Sequence, residues 1–394
     1  MTTEPEPTRL FTRSFGIVSA AALAYFVADG LTLPTAPRFA AGPLGADSLG
    51  VGLAIGAFSV TALVLRPVTG RLSDRYGRRP IMVVGSALLV AALLLHLAAV
   101  TLPIFVAARL LMGTAEAFVF VAAFAAAADL APAARRGEAM SYFSLALYVG
   151  IGVGPPIGET VLAAGGFNAV WLAAAGIAVL SGLLALGVPD TRAAGTAEAA
   201  GSGLLNRGGV LPGVVLMAGA WGMAGFFTFV SLYAISLGLA GAAQYLSVYA
   251  AVVIGLRVLG AKAPDRFGAR RLSGAALVVG AMGLTVIGLW GDPTGLLIGT
   301  ILYASGVAFM FPALGALVVS SVPASERGAA LGTFTAFLDV AFGLGPATLG
   351  AVVGGFGYPA AFLVGACVAL AGAVLLVAAT RPAARGTAPL VARR

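Results

Sequence analysis

Apolar segments of about twenty residues recur along the whole chain, separated by short polar stretches. A helix of about 20 apolar residues crosses the roughly 30 Å hydrocarbon core of a bilayer. The pattern therefore predicts an all-α membrane protein with twelve transmembrane helices, called spans 1 to 12 below. Their predicted limits are 14–36, 49–70, 81–100, 103–128, 138–163, 168–188, 211–236, 242–262, 272–290, 294–320, 329–354 and 358–380.

The composition also favours a membrane location. The chain is 60% hydrophobic and 10% charged, whereas soluble domains are about 45–50% apolar and about 25% charged. The first apolar run, from Ser14, is longer than the core of a signal peptide, so we expect a retained helix. With one cysteine, Cys367, and one histidine, His96, neither an internal disulfide nor a protein-built metal site is expected. No cofactor is predicted.

The distribution of basic residues predicts the orientation. With twelve spans both termini lie on one side, and the tails and loops of that side carry 19 of the 23 Lys and Arg. The other side carries only Arg38, and Arg66, Arg109 and Arg257 fall inside spans. The positive-inside rule then places the termini in the cytoplasm. This asymmetry explains the net charge of +8 without a nucleic-acid partner. Arginine outnumbers lysine 22 to 1, which suggests a GC-rich bacterium and its inner membrane.

The two halves of the chain repeat at a constant offset of 191 residues. The matches, in four separate regions, include Arg66 with Arg257, Asp74 with Asp265, Gly77 with Gly268, Gly154-Pro155 with Gly345-Pro346, and Phe118 with Phe309. Two parallel six-helix repeats are a transporter architecture, with the solute site between the halves. We predict an N-terminal bundle at 1–188, a cytoplasmic linker at 189–210 and a C-terminal bundle with a short tail at 211–394.

The stretch RPVTGRLSDRYGRRP, residues 66–80, concentrates charge between spans 2 and 3. It resembles the signature G-x-x-x-D-R-x-G-R-R of the major facilitator superfamily. The matching residues are Gly70, Asp74, Arg75, Gly77, Arg78 and Arg79. The resemblance covers nearly the whole chain, and it implies two pseudo-symmetric six-helix bundles and secondary transport by alternating access.

The resemblance also implies a role for Asp74. In the family this acid contacts the start of span 11, here near Gly328, in the other half of the molecule. A helix N-terminus carries about half a positive charge, so the contact is expected to stabilise the cytoplasm-closed state as a conformational latch. Gly70 is expected to allow close packing at the end of span 2, and Gly77 a tight turn.

Span 5 carries a second motif. Family members that exchange a substrate for ions tend to have G-x-x-x-G-P-x-x-G-G, and the matching residues are Gly150, Gly154, Pro155 and Gly158. Glu159 replaces the last glycine and is expected to be solvated at the outer edge. Gly and Pro in a span can also serve bending and packing alone. Span 1, ADGLTLPTAP, and Arg109 in span 4 resemble the twelve-span drug/proton antiporter group.

Ionisable residues inside spans are costly and are therefore candidates for function. Arg109 and Glu116 are seven residues apart, so they project from one face of span 4, about 10 Å apart. We hypothesise that Asp29 pairs with Arg109 and that Glu116 is the main proton-carrying carboxylate. Asp339 is a second site for a proton or a cationic substrate, or a partner for an arginine. A purely structural ion-pair network is the alternative.

Aromatic residues in spans 4, 7 and 10 are candidates for the substrate cavity, because those spans face it in the family. They are Phe118, Phe120, Trp221, Phe226, Tyr303 and Phe309. Packing within the bundles is the alternative reading. An aromatic, acid-bearing cavity suits amphipathic or cationic organic molecules.

The predicted function is export of small organic compounds by a monomer in the lipid bilayer, driven by the proton gradient. The runner-up is proton-coupled uptake of a metabolite, against which the span 5 motif argues. The chain contains neither H-E-x-x-H nor G-x-S-x-G, so a membrane-embedded enzyme is not expected.

Overall fold

The computed structural model describes residues 12–132, 135–191, 206–260, 263–323 and 326–379. Its first four helices, spans 1 to 4, are Arg13–Ala41, Ser48–Tyr76, Arg78–Leu97 and Leu102–Leu130. Spans 5 and 6 share one helix, Arg136–Leu186, and spans 11 and 12 share another, Arg327–Ala379. Spans 7 to 10 are Arg207–Ser236, Ala243–Leu259, Ala269–Leu289 and Pro293–Ser321, and a short helix, Ala263–Phe267, precedes span 9. The prediction of twelve spans is confirmed.

Two glycines divide the long helices into pairs of spans. Gly166 has φ 72° and Gly357 has φ 80°, in the left-handed region that interrupts a helix. The two positions are 191 residues apart, so they are equivalent in the sequence repeat. The internal repeat therefore extends to the turns that reverse the chain between spans 5 and 6 and between spans 11 and 12.

Span 2 is longer than its apolar segment predicts. Its helix continues six residues beyond the predicted end at 70 and stops at Gly77, which has φ 95°. Most of the stretch predicted to be a loop, 71–80, is therefore helical. As a result, Arg66 lies ten residues, about 15 Å, from the end of its helix. Arg66 therefore lies well inside its helix and not near its end.

Each half of the chain builds a hydrophobic core. Spans 1 to 6 supply most of the first, which includes Tyr25, Phe105 and Trp171. Spans 7 to 12 supply most of the second, which includes Phe226 and Tyr249. Most of the predicted linker at 189–210, and the tail after residue 379, lie outside the described residues. We call the side on which spans 1 and 12 begin and end the terminal face, and the other side the opposite face.

The two bundles meet closely on the opposite face. A Cβ atom placed at Gly52, Gly56 or Gly350 would collide with backbone of the other bundle. The atoms met are the carbonyl oxygens of Pro346, Gly343 and Ser48, respectively. These glycines let span 2 and span 11 touch backbone to backbone, as small residues do between membrane helices. The structure is therefore closed on the opposite face.

Candidate functional site

A cavity of about 240 Å³ lies between the bundles. Five charged residues line it, namely Asp29, Arg66, Arg109, Glu116 and Asp339. The structure thus gathers in one place all four residues that the sequence suggested for proton coupling. It adds Arg66, which the sequence placed inside a span but did not include among the candidates for proton coupling.

Arg66 connects the two bundles through carboxylates. Its Nη1 lies 2.5 Å from Asp339 Oδ2 in span 11, and its Nη2 lies 3.2 Å from Glu116 Oε1 in span 4. Its guanidinium also lies 5.3 Å from the centre of the Phe120 ring. Asp339 is thereby a partner for an arginine, one of the roles considered above. Glu116 makes this contact through Oε1 alone. Its other oxygen, Oε2, is buried without a hydrogen-bond partner.

The hypothesised pair between Asp29 and Arg109 is not formed. Both line the cavity, but no contact within 4 Å joins their charged groups among the described residues. The Arg109 side chain extends instead toward span 2, where its guanidinium lies 5.2 Å from the centre of the Phe58 ring. The guanidinium of Arg109 therefore rests beside the Phe58 ring, outside ion-pair distance of Asp29.

The six aromatic residues proposed for the cavity do not line it. Phe226 is fully buried against Tyr249 and Tyr303 inside the second bundle, whereas its neighbour Phe227 lines the cavity. Successive residues point about 100° apart around a helix, so one of two adjacent aromatics faces the bundle core. The aromatic residues that line the cavity are Phe58, Tyr148, Phe227, Tyr249 and Phe342. The structure places the proposed residues Phe118, Phe120, Trp221, Tyr303 and Phe309 outside this lining.

Arg257, the repeat equivalent of Arg66, also reaches across the bundle interface. Its guanidinium lies 4.5 Å from the centre of the Tyr148 ring, and its Nε donates to the Ala308 carbonyl at 3.2 Å. Tyr148 is the repeat equivalent of Asp339. The two arginines therefore make equivalent cross-bundle contacts, but Arg66 meets a carboxylate where Arg257 meets a phenol ring.

The signature between spans 2 and 3 forms a network inside the first bundle. Arg78 is buried, and it donates to Asp74 at 2.5 Å and to Asp129 at 3.1 Å. The Asp74 side chain is 68% exposed and, in this conformation, is hydrogen-bonded to its own bundle rather than to span 11. A Cβ at Gly70 would meet nothing within 4 Å. Among the described residues, the close packing expected at Gly70 is therefore not seen in this conformation.

Arg75 and Arg79, the other basic residues of the signature, are exposed on the terminal face. The guanidinium of Arg75 lies 5.2 Å from the centre of the neighbouring Tyr76 ring. Neither residue lines the cavity. Asp129, at the end of span 4, was not singled out in the sequence, because it belongs to no recognisable motif.

The glycines of the span 5 motif pack against span 1. Cβ atoms at Gly150, Gly154 and Gly158 would collide with the backbone of Phe26, Gly30 and Leu31, respectively. The motif therefore holds spans 1 and 5 together within one bundle, and these glycines do not line the cavity.

Glu159 makes a contact that the sequence did not suggest. Its Oε1 accepts a hydrogen bond of 2.7 Å from the Ala242 amide, at the start of span 8 in the other bundle. Arg38 Nη1 lies 3.9 Å from the same oxygen. Nearby, the Ser247 hydroxyl donates to the Gly152 carbonyl at 2.7 Å. The acid expected to be solvated instead joins the two bundles on the opposite face.

Comparison with known proteins identifies the family. The model of the Major Facilitator Superfamily matches this chain over residues 18–263 and again over 246–393. The chain belongs to the Major Facilitator Superfamily. An uncharacterized MFS-type transporter of Burkholderia mallei (strain SAVP1) is 29% identical over 382 residues, covering 94% of this chain and 93% of that protein. One of Salmonella typhimurium is 27% identical over 380 residues, covering 91% and 94%.

Solved structures of this superfamily share the fold. The nucleoside transporter NupG has a TM-score of 0.77 and 15% identity, covering 94% of this chain and 100% of that one. The human organic anion transporter MFSD10 has a TM-score of 0.71 and 20% identity, covering 92% and 99%. Members of the Major Facilitator Superfamily are secondary transporters and not enzymes. The chain is therefore a multi-pass membrane protein that carries small molecules and needs no cofactor.

Proposed function

We propose that this member of the superfamily is a proton-coupled exporter of small organic or amphipathic compounds, akin to the twelve-span drug/proton antiporters. The observation that carries the proposal is the position of Arg66 between Glu116 in one bundle and Asp339 in the other. We call Arg66, Glu116 and Asp339 the triad. In this proposal, a change in the charge of the triad alters the attraction between the bundles.

Charge counting supports a proton as the coupling ion. One guanidinium and two carboxylates leave one negative charge in excess inside a membrane protein, where uncompensated charge is costly. A proton on either acid removes the excess and leaves Arg66 with one ionised partner. Loss of that proton returns the excess charge, so the triad can alternate between two states of different attraction. Arg109, permanently charged in the same cavity, favours proton release.

The direction and location of transport rest on the sequence. The span 5 motif and the resemblance of span 1 to the drug/proton antiporters favour export over uptake. The basic residues of the terminal face favour its assignment to the cytoplasm, and the bacterial relatives favour an inner membrane. We further propose that the protein works as a monomer with bundles at 1–188 and 211–394, joined by the linker at 189–210.

The test is transport by purified protein in proteoliposomes. A compound found by a thermal-stabilisation screen of aromatic acids, amines and neutral compounds is followed with and without a pH gradient. For Glu116→Gln and Asp339→Asn we expect stimulation by the gradient to fall about tenfold or more. Exchange of labelled for unlabelled compound at equal pH should persist, because exchange needs no net proton movement.

A matched control is Glu326→Gln, which removes an exposed acid of the terminal face, far from the cavity. It should keep the full response to the gradient. If both cavity variants also keep it, the proton-coupling assignment is wrong. If the gradient drives the compound in the same direction as the protons, the protein is the uptake symporter.

A further inference from the structure

Arg109 lies toward the closed end of the cavity, where its guanidinium forms no ion pair with a described residue. It lies seven residues, about 10 Å, from the start of span 4 on the opposite face. The residue is only 6% exposed, and its Nε atom is buried without a hydrogen-bond partner. Within the described ranges, no carboxylate lies within 4 Å of its guanidinium, and Nη1 contacts only the Met112 sulfur, at 3.5 Å.

None of the three acids that line the cavity forms an ion pair with Arg109. Glu116 and Asp339 are both bound to Arg66. Asp29 lines the cavity too, but its carboxylate stands outside ion-pair distance of Arg109. A buried charge without a partner is strongly disfavoured. A guanidinium held in this state next to an open cavity is a binding group for an anion that arrives from outside the chain.

We propose that Arg109 binds the carboxylate of the transported compound and that the substrates are small aromatic monocarboxylic acids. The inference rests on the proposed transport function and names its substrate class. The planar guanidinium can donate two parallel hydrogen bonds to a carboxylate, which makes it selective for that group.

The rest of the cavity suits the body of such an acid. Phe58, beside Arg109, and Phe227 and Phe342 from the second bundle offer aromatic contact surface. At about 240 Å³ the cavity is smaller than the roughly 300–1,000 Å³ of pockets for drug-sized ligands. One or two rings are therefore the appropriate size. The negative charge of Asp29 disfavours a second carboxylate on the ligand.

The experiment compares each acid with its neutral amide. Binding of benzoate, benzamide, indole-3-acetate and indole-3-acetamide to the purified full-length protein is measured by calorimetry in detergent at one pH. The acids should bind at least tenfold more tightly than the amides, because only a carboxylate forms charge-assisted hydrogen bonds with Arg109. Arg109→Gln should reduce the affinity for each acid to that for its amide and leave the amides unchanged.

Two further variants make the result decisive. Arg109→Lys keeps the charge but loses the paired donors, so its acid affinity should lie between wild type and Arg109→Gln. This variant also serves if Arg109→Gln does not fold. Arg13→Gln removes an exposed arginine at the start of span 1 that does not line the cavity, and this variant should bind the acids as wild type does. Equal binding of acids and amides, no acid binding at about 10 mM, or a preference for acids kept by both Arg109 variants would overturn the proposal.

Binding in detergent involves no gradient, so its failure is distinct from failure of proton coupling. Acids that bind through Arg109 but move without regard to the pH gradient would support the site and refute the coupling. If a pH gradient drove the transport of amides as fast as that of acids, the proton coupling would be supported and the carboxylate site at Arg109 would be refuted.

Discussion

The opposite and terminal faces of the molecule differ in how the bundles meet. On the opposite face, spans 2 and 11 are in backbone contact, and Glu159 accepts a hydrogen bond from the first residues of span 8 across the interface. On the terminal face, Asp74 is exposed and hydrogen-bonded to Arg78 of its own bundle. Glu159 thus contacts a helix start of the other bundle in the structure, whereas the corresponding contact of Asp74 with span 11 is a prediction.

The difference suggests that the two acids act as alternating caps. Glu159 stabilises closure of the opposite face, because a carboxylate at a helix N-terminus is favourable. Asp74 is expected to do the same for the terminal face near Gly328. A rocking motion of the bundles cannot satisfy both contacts together. On the proposed assignment of the terminal face to the cytoplasm, this conformation corresponds to an inward-facing state. Variants of the two acids should shift the populations in opposite directions.

The largest shift is expected from Gly56→Ala. The added Cβ would collide with the Gly343 carbonyl oxygen and force spans 2 and 11 apart on the opposite face. Overpacking costs about 2 kcal/mol, which corresponds to a shift of about 30-fold toward the state that is open on the opposite face. Spin labels at Val100 and Phe356, which are 78% and 81% exposed, would report it as a longer distance.

The exposed native cysteine, Cys367, is first replaced by serine in all labelled proteins. The control is Gly354→Ala in span 11, the helix that Gly56 contacts, at a position where a Cβ would meet nothing within 4 Å. It should leave the label distances as they are in the parent protein. Equal distance distributions for Gly56→Ala and Gly354→Ala would show that backbone contact at Gly56 does not determine closure.

A smaller shift in the same direction is expected from Glu159→Gln. Glutamine can still accept the hydrogen bond from Ala242, but the charge beside the helix start and Arg38 is lost. This loss should cost about 1 kcal/mol, or about a fivefold change in the ratio of the two states. The same label pair measures it. A ratio that stays at the parent value would mean that Glu159 contributes no charge interaction to closure.

The sequence predicted well which segments form spans and which positions of the two halves are equivalent. Span limits follow from hydropathy, and residues 191 apart behave alike even at the turns Gly166 and Gly357. Asp29, Glu116 and Asp339 could be singled out as candidates, because a charge inside a span is costly. The structure places all three at one cavity.

The rotation of each helix about its own axis, and the partners that long side chains reach, could not be predicted in this way. Hydropathy cannot tell which side of an apolar helix faces the cavity, so Phe226 was chosen and Phe227 was missed. The role of Arg66 was missed, because a position inside a span does not show which partners a long side chain reaches. The available signal was the repeat itself. It pairs Arg66 with Arg257 and Asp339 with Tyr148, and each arginine contacts one member of the second pair.

The smallest and opposite shift is expected from Asp74→Asn. In the present conformation Asp74 is 68% exposed, so its pair with Arg78 contributes little. The charge matters mainly when the terminal face is closed, where its attraction to the start of span 11 should be about 0.5 kcal/mol, or about a twofold ratio. The variant should therefore favour the conformation described here. Labels at Tyr76 and Phe267, equivalent positions of the two bundles, measure this face.

A twofold change is best measured where both states are populated, which the Glu159→Gln background should provide. There Asp74→Asn should return part of the population to the state closed on the opposite face, and the double variant should lie between Glu159→Gln and the parent. A double variant that moves further from the parent would mean that Asp74 stabilises the terminal face in its open state, through Arg78 rather than through span 11. The two acids would then not be alternating caps.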